Sequence, residues 1–288
     1  MAGRRHSHAR RRGVARLAVV AAVVLGLVPL AAVPAAAQTT FLCSDFVTEG
    51  RPGYVYYQRI EGDLVADIPW CYLVFTTVVG DVEVLEGATF DTHSSTLLGD
   101  VRAAGDTALE ETTVLGSVVL TAPGTNVDLK SSHVADDVLG DGASVSLRWS
   151  TVAGRYETTA TARIVSSMVS GAFSARGGRV VVHWSEFGDQ VLLAGTWEVI
   201  LCGASIAGDL TVTEQRNYAR LGVLDQIACR TYVAGSALLL SNPHSLDLGD
   251  LDIRGDLVCE GNTGPRGITG LDRVSVAGTR SGQCAAAS

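Results

Sequence analysis

The feature that most constrains this chain is a corner that recurs. An apolar residue, one spacer and a glycine, usually followed by Asp, return about every eighteen residues from Ile60 to Asp256. The column reads Gly62, Gly80, Gly99, Gly116, Asp136 as the exception, Gly154, Gly171, Gly188, Gly208, Gly235 and Gly255. A repeat of this length is one turn of a solenoid. Counting each coil from its glycine as zero, position −2 is aliphatic in every coil but one. There Glu186 stands beside Phe187, which signals a one-residue slip. Position +2 is again mostly apolar, from Leu64, Val82 and Val101 to Leu257, with Val191 beside Gln190 at the same slip. Strand side chains alternate faces, so both positions point inward. Val, Thr and Ile are abundant and Gly interrupts every coil, which excludes helix. The expected fold is all-β: a single right-handed parallel β-helix of about eleven short coils with Gly-Asp corners.

Position −4 shares the inward parity. It reads Thr76, Ser95, Thr112, Ser132, Ser150 and Ser167 in successive coils. Small hydroxyls stacked in register can pass hydrogen bonds along the axis and satisfy one another inside the coil.

The corner motif is clearest in Ile60-Glu61-Gly62-Asp63-Leu64, Val78-Val79-Gly80-Asp81-Val82 and Ile206-Ala207-Gly208-Asp209-Leu210. Over residues 60–258 it resembles the bactofilin type of right-handed parallel β-helix, and the short-coil secreted β-helices of bacteria. The resemblance implies architecture only. Bactofilins are cytoskeletal polymers without export signals or disulfides, and this chain departs from them on both counts. A left-handed hexapeptide helix is the alternative, but coil lengths scattered between 17 and 20 fit its six-residue beat poorly.

Residues 1–37 read as a secretory signal peptide. Six arginines precede an apolar run from Leu17 to Val33, and Ala35-Ala36-Ala37 supplies a cleavage site. The remaining chain divides into an N-terminal arm (38–59), the solenoid (60–258, with an inserted loop at 213–228) and a C-terminal cap and tail (259–288). No membrane span is expected after cleavage. Without the leader, 16 basic residues face 30 acidic ones, a formal charge of −14. Such a surface repels nucleic acid and anionic lipid. Lys130 is the only lysine, a bias suggesting a high-GC bacterial genome. Cys43, Cys71, Cys202, Cys229, Cys259 and Cys284 are even in number and follow an export signal, so they read as disulfides in an extracellular setting. Neighbours along the chain suggest Cys43–Cys71, Cys202–Cys229 and Cys259–Cys284.

Candidate chemistry is sparse. Asp63, Asp81 and Asp100 would lie along one corner, either as turn caps or as a weak Ca²⁺ site, the one cofactor considered. An outward column at −3, Thr77, Thr96, Thr113, His133, Thr151, Met168, Ser185 and Ser205, offers a Thr-lined binding face similar to those of β-helical ice-binding proteins. Trp149 and His183 share position −5 two coils apart, within reach of sugar rings. No catalytic set stands out. The expected role is an exported structural or adhesive protein whose partner is a cell-wall or extracellular polysaccharide or another protein. A secreted polysaccharide lyase or hydrolase is the alternative.

Overall fold

The computed structural model describes residues 39–285 except Glu49 and Gln226. The expected leader at 1–37 lies outside the described residues. The chain winds through three parallel sheets, each built from one strand per coil. The first sheet has 13 strands, from Thr40–Leu42 to Arg280–Gly282. The second and third have 12 each, from Tyr54–Tyr56 to Ile268–Thr269 and from Arg59–Ile60 to Val274–Val276. Among the described residues no helix is long and apolar enough to cross a membrane.

The stack therefore has about 13 turns rather than eleven. It starts before the first corner motif, where Thr40–Leu42 pairs with Asp63–Ala66 and Tyr54–Tyr56 pairs with Cys71–Val74. It also continues past Cys259, where Val274–Val276 and Arg280–Gly282 add a coil turning at Gly278. These end coils lack the Gly-Asp pair, so the repeat does not announce them.

The core columns are those expected. Leu64, Val82, Val101, Val118, Val138, Tyr156, Phe173, Val191 and Leu210 pair in register, each with the next. All are buried. The slip at Gly188 occurs as Phe187 signalled: Phe187 points inward and Glu186 takes the outward place. Tyr156, Phe173 and Phe187 form one stacked aromatic run, with centroids 5.0 and 5.3 Å apart. The Tyr156 hydroxyl donates to the Val145 carbonyl at 3.2 Å, and burial holds it protonated far above the usual tyrosine range.

Gly is required at the corner for clearance between coils, not for a left-handed backbone; Gly80, Gly99 and Gly116 all lack positive φ. A Cβ on Gly99 would lie 2.4 Å from Asp81 Oδ1 and 2.6 Å from the Gly80 carbonyl oxygen. Asp136 follows the coil in which Ser117 stands in the aspartate's place.

The expected insertion at 213–228 is narrower than its composition suggests. Ala219–Leu221 is a regular strand of the second sheet. Only the hairpin Val223–Leu224/Ile227–Ala228 leaves the stack. Its base is closed by Cys202–Cys229. The other two disulfides are Cys43–Cys71 near the start and Cys259–Cys284 near the end. Each has both sulfur-bearing residues less than 6 Å apart at Cα (5.8 and 5.5 Å).

Candidate functional site: an aromatic ridge on the left-handed corner

The turn between the second and third sheets has an unusual backbone. Tyr57, Phe75, Ser94, Glu111, Ser131, Trp149, Ser166 and Trp184 all carry φ between 48° and 53°. Left-handed geometry costs a non-glycine residue about 1–2 kcal/mol. From Phe75 to Trp184 the hydroxyl ladder expected at −4 provides the compensation. Ser150 Oγ donates to the Arg148 carbonyl at 2.9 Å, looping around Trp149. It also accepts the Ser132 amide of the preceding coil at 3.1 Å. Ser132, Ser167 and Ser185 repeat the pattern, with amide bonds at 3.0–3.2 Å from Thr112, Ser150 and Ser167. Each hydroxyl clamps its own corner and links it to the next, so these residues are structural.

The left-handed residue has its side chain turned out of the coil. Where it is aromatic, a large apolar ring stands in solvent: Tyr57 is 75% exposed, Phe75 49%, Trp149 60% and Trp184 63%. The left-handed backbone belongs to the corner itself, since Ser94, Glu111, Ser131 and Ser166 share it; what sets these four coils apart is the exposed ring. Tyr57 and Phe75 occupy adjacent coils and stack on each other, centroids 5.1 Å apart and planes 12° off parallel. Trp149 and Trp184 are separated by Ser166 and line one groove with Thr151, Met168 and Glu186. The slip at Gly188 brings Trp184, not His183, into the column of Trp149. His183 instead ends its strand beside Val165 and Cys202. Its ring meets Trp184 edge-on at 5.5 Å, and its Nε2 is buried with no hydrogen-bond partner. Burial, then the nearby Arg163, holds that imidazole below the usual histidine range.

The Thr column borders this ridge. Thr77, Thr96 and Thr113 are direct neighbours in the third sheet, and His133 separates them from Thr151. Glu186, rather than Ser185, continues the column after Met168. The strands here are two residues long, so the face is one side chain wide.

The aspartates form an axial ladder. Asp63 Oδ1 accepts the Asp81 amide at 2.8 Å, Asp81 accepts Asp100 at 2.9 Å, and Asp100 accepts Ser117 at 2.9 Å. Asp137, Asp209 and Asp256 do the same for Arg155, Ser236 and Thr279. The capping reaches the next coil rather than the residue's own turn. Burial alone would raise Asp137, but the Arg155 side chain and amide outweigh it and hold the carboxyl below its ordinary value. Among the described residues no group of three or more His, Cys, Asp or Glu is placed to hold a metal ion.

A second, polar cleft lies below the hairpin, lined by Tyr218, Arg220, Asp225, Asp247 and Thr269. Its acids are paired: Asp225 with Arg220 at 3.2 Å and Asp247 with Arg273 at 3.7 Å. Sequence reasoning also missed a buried amide ladder in the last coils. The Gln215 amide bonds Asn242 Oδ1 at 3.1 Å, the Asn242 amide bonds Asn262 Oδ1 at 3.2 Å, and the Asn262 amide bonds Gln283 Oε1 at 2.8 Å. No family model, no curated protein and no solved structure matches the chain.

Proposed function

We propose that this chain is an exported bacterial β-solenoid that binds cell-wall or extracellular polysaccharide along its left-handed corner. The observation that carries the reading is the ridge of four exposed aromatic rings. Aromatic faces stack on the C–H faces of sugar rings, and the neighbouring Thr and Glu side chains offer partners for hydroxyls. The signal-like leader and three disulfides support an oxidising destination. The formal charge of −14 without the six leader arginines favours neutral or cationic polymers over anionic ones. The bactofilin-like corner motif supports a rod built for stacking, without carrying over a cytoskeletal role.

The test is co-sedimentation of the purified chain with insoluble cell-wall polysaccharides, with released reducing ends and unsaturated products measured in parallel. Retention without turnover, weakened by changing the ridge aromatics to Ala, is expected. Release of oligosaccharides would instead establish the lyase or hydrolase alternative, and failure to sediment with any glycan would overturn the reading.

A further inference from the structure

The ridge is not uniform, and its spacing says what it takes. From Trp149 the corner column runs Trp149, Ser166, Trp184, Gly203: large and small residues alternate, one per coil. The small residue leaves room for the ring of the preceding coil to lie down over it. Trp184 does so. A Cβ on Gly203 would fall 2.6 Å from Trp184 Cδ1 and 3.1 Å from its Nε1, so the indole covers the Gly203 α-carbon. Tyr57 and Phe75, on adjacent coils, instead stack on each other and occupy each other's faces. Trp149 and Trp184 thus expose two indoles two rungs apart, about 9.6 Å at the parallel-sheet spacing. Thr151 and Glu186 border the same groove.

Building on the polysaccharide reading, we infer that the Trp149–Trp184 pair seats an extended, uncharged β-1,4-linked pyranose chain running along the solenoid axis. In such a chain each ring advances by roughly one rung spacing and is turned over relative to the last. The same face therefore returns at every second ring. Two indoles two rungs apart meet the same face of rings n and n+2, while the ring between them passes over Ser166, where a larger side chain would obstruct it. An α-1,4-linked chain curls away from this line. A polyuronate places carboxylates against Glu186 and an acidic surface.

The experiment measures retention on insoluble cellulose, chitin and starch, and fluorescence titration with β-1,4-linked oligosaccharides of two to six rings. The wild-type chain should be retained on the β-1,4 polymers and pass starch. Affinity should step up between two and three rings, the length at which both indoles are engaged. Trp149→Ala and Trp184→Ala should each weaken binding about tenfold, the loss of one stacking contact. Trp197→Ala, which removes an exposed indole outside the ridge, should leave it unchanged, and Trp184→Phe should restore part of it. Matching far-UV circular dichroism confirms that the variants fold; the length dependence needs no variant. Equal retention on starch, no step at three rings, or indifference to both Trp changes would overturn the inference while leaving polysaccharide binding intact. Retention on no glycan would overturn both.

Discussion

Replacing Gly99 by Ala separates two explanations for the corner glycine, because they predict opposite signs. If glycine were present only for backbone freedom, its φ, which is not positive, would suit alanine. The change would then stabilise the chain by about 0.4–1 kcal/mol through the unfolded state. The structure argues otherwise. The new methyl would meet Asp81 Oδ1 at 2.4 Å and the Gly80 carbonyl carbon at 2.8 Å. Backbone atoms cannot swing aside, so the rungs must part. Overpacking of this kind costs about 1–3 kcal/mol. Moving the Asp81 carboxylate also breaks its bond to the Asp100 amide, worth about 1.5–3 kcal/mol for a charged acceptor. A net loss of roughly 3–5 kcal/mol is expected, which for a chain of this length lowers the melting midpoint by roughly 6–20 °C. Urea denaturation and thermal melts read this directly. The double variant Asp81→Ala/Gly99→Ala should cost less than the sum of the single changes, since removing the carboxylate clears part of the space. Unchanged or increased stability in Gly99→Ala would refute the clearance argument.

Other outcomes follow from the same geometry. Ser150→Ala should cost about 1–3 kcal/mol, because the Ser132 amide loses its buried acceptor; Ser150→Thr should lose much less, and equal losses would contradict the ladder. Cys259→Ser/Cys284→Ser should cost about 3 kcal/mol, with hydrogen-exchange protection lost at Arg280–Gly282 and retained at Val118–Leu120. His183 is held below the ordinary value of 6.5 in the folded chain, so the unfolded chain takes up its proton first. Its contribution is full above that value and declines as pH falls towards the folded pKa; His183→Gln should flatten this part of the stability profile, and an unaltered profile counts against the burial argument. The Asp63–Asp81–Asp100 ladder acts as a set of amide caps, so added calcium should leave the melting midpoint unmoved. A midpoint that climbs with calcium concentration would show a bound cation.

Much of the architecture was legible because a solenoid writes its core in columns. Val78, Leu97 and Val114 recur at fixed offsets from a glycine and stack in register. The hydroxyl ladder was readable for the same reason, since Ser132, Ser150 and Ser167 keep the spacing. The end coils were not legible: their turns lack the Gly-Asp pair, and neighbour pairing alone places them. The amide ladder escaped notice because Gln215, Asn242 and Asn262 are spaced irregularly, so their polarity read as loop. The left-handed corner was hidden in composition. Tyr, Phe, Ser, Glu and Trp all occupy it, and the only clue was position, one residue before the buried hydroxyl from Phe75 to Trp184. Trp184 stayed out of the Trp149 column because the slip at Gly188 was not carried to its consequence four residues upstream.

The ridge exists only if the rungs stack in register, since that is what aligns the corner residues. Thr77 and Thr151 lie four rungs apart on one strip of the third sheet, and Thr77 and Ser205 seven. The native cysteines are all paired, so introduced Thr77→Cys/Thr151→Cys and Thr77→Cys/Ser205→Cys pairs accept spin labels selectively. Pulsed electron paramagnetic resonance should give separations of about 19 and about 34 Å, set by the 4.8 Å rung spacing. Two pairs whose separations do not differ by roughly three rungs, about 14 Å, would contradict the stack and the ridge with it.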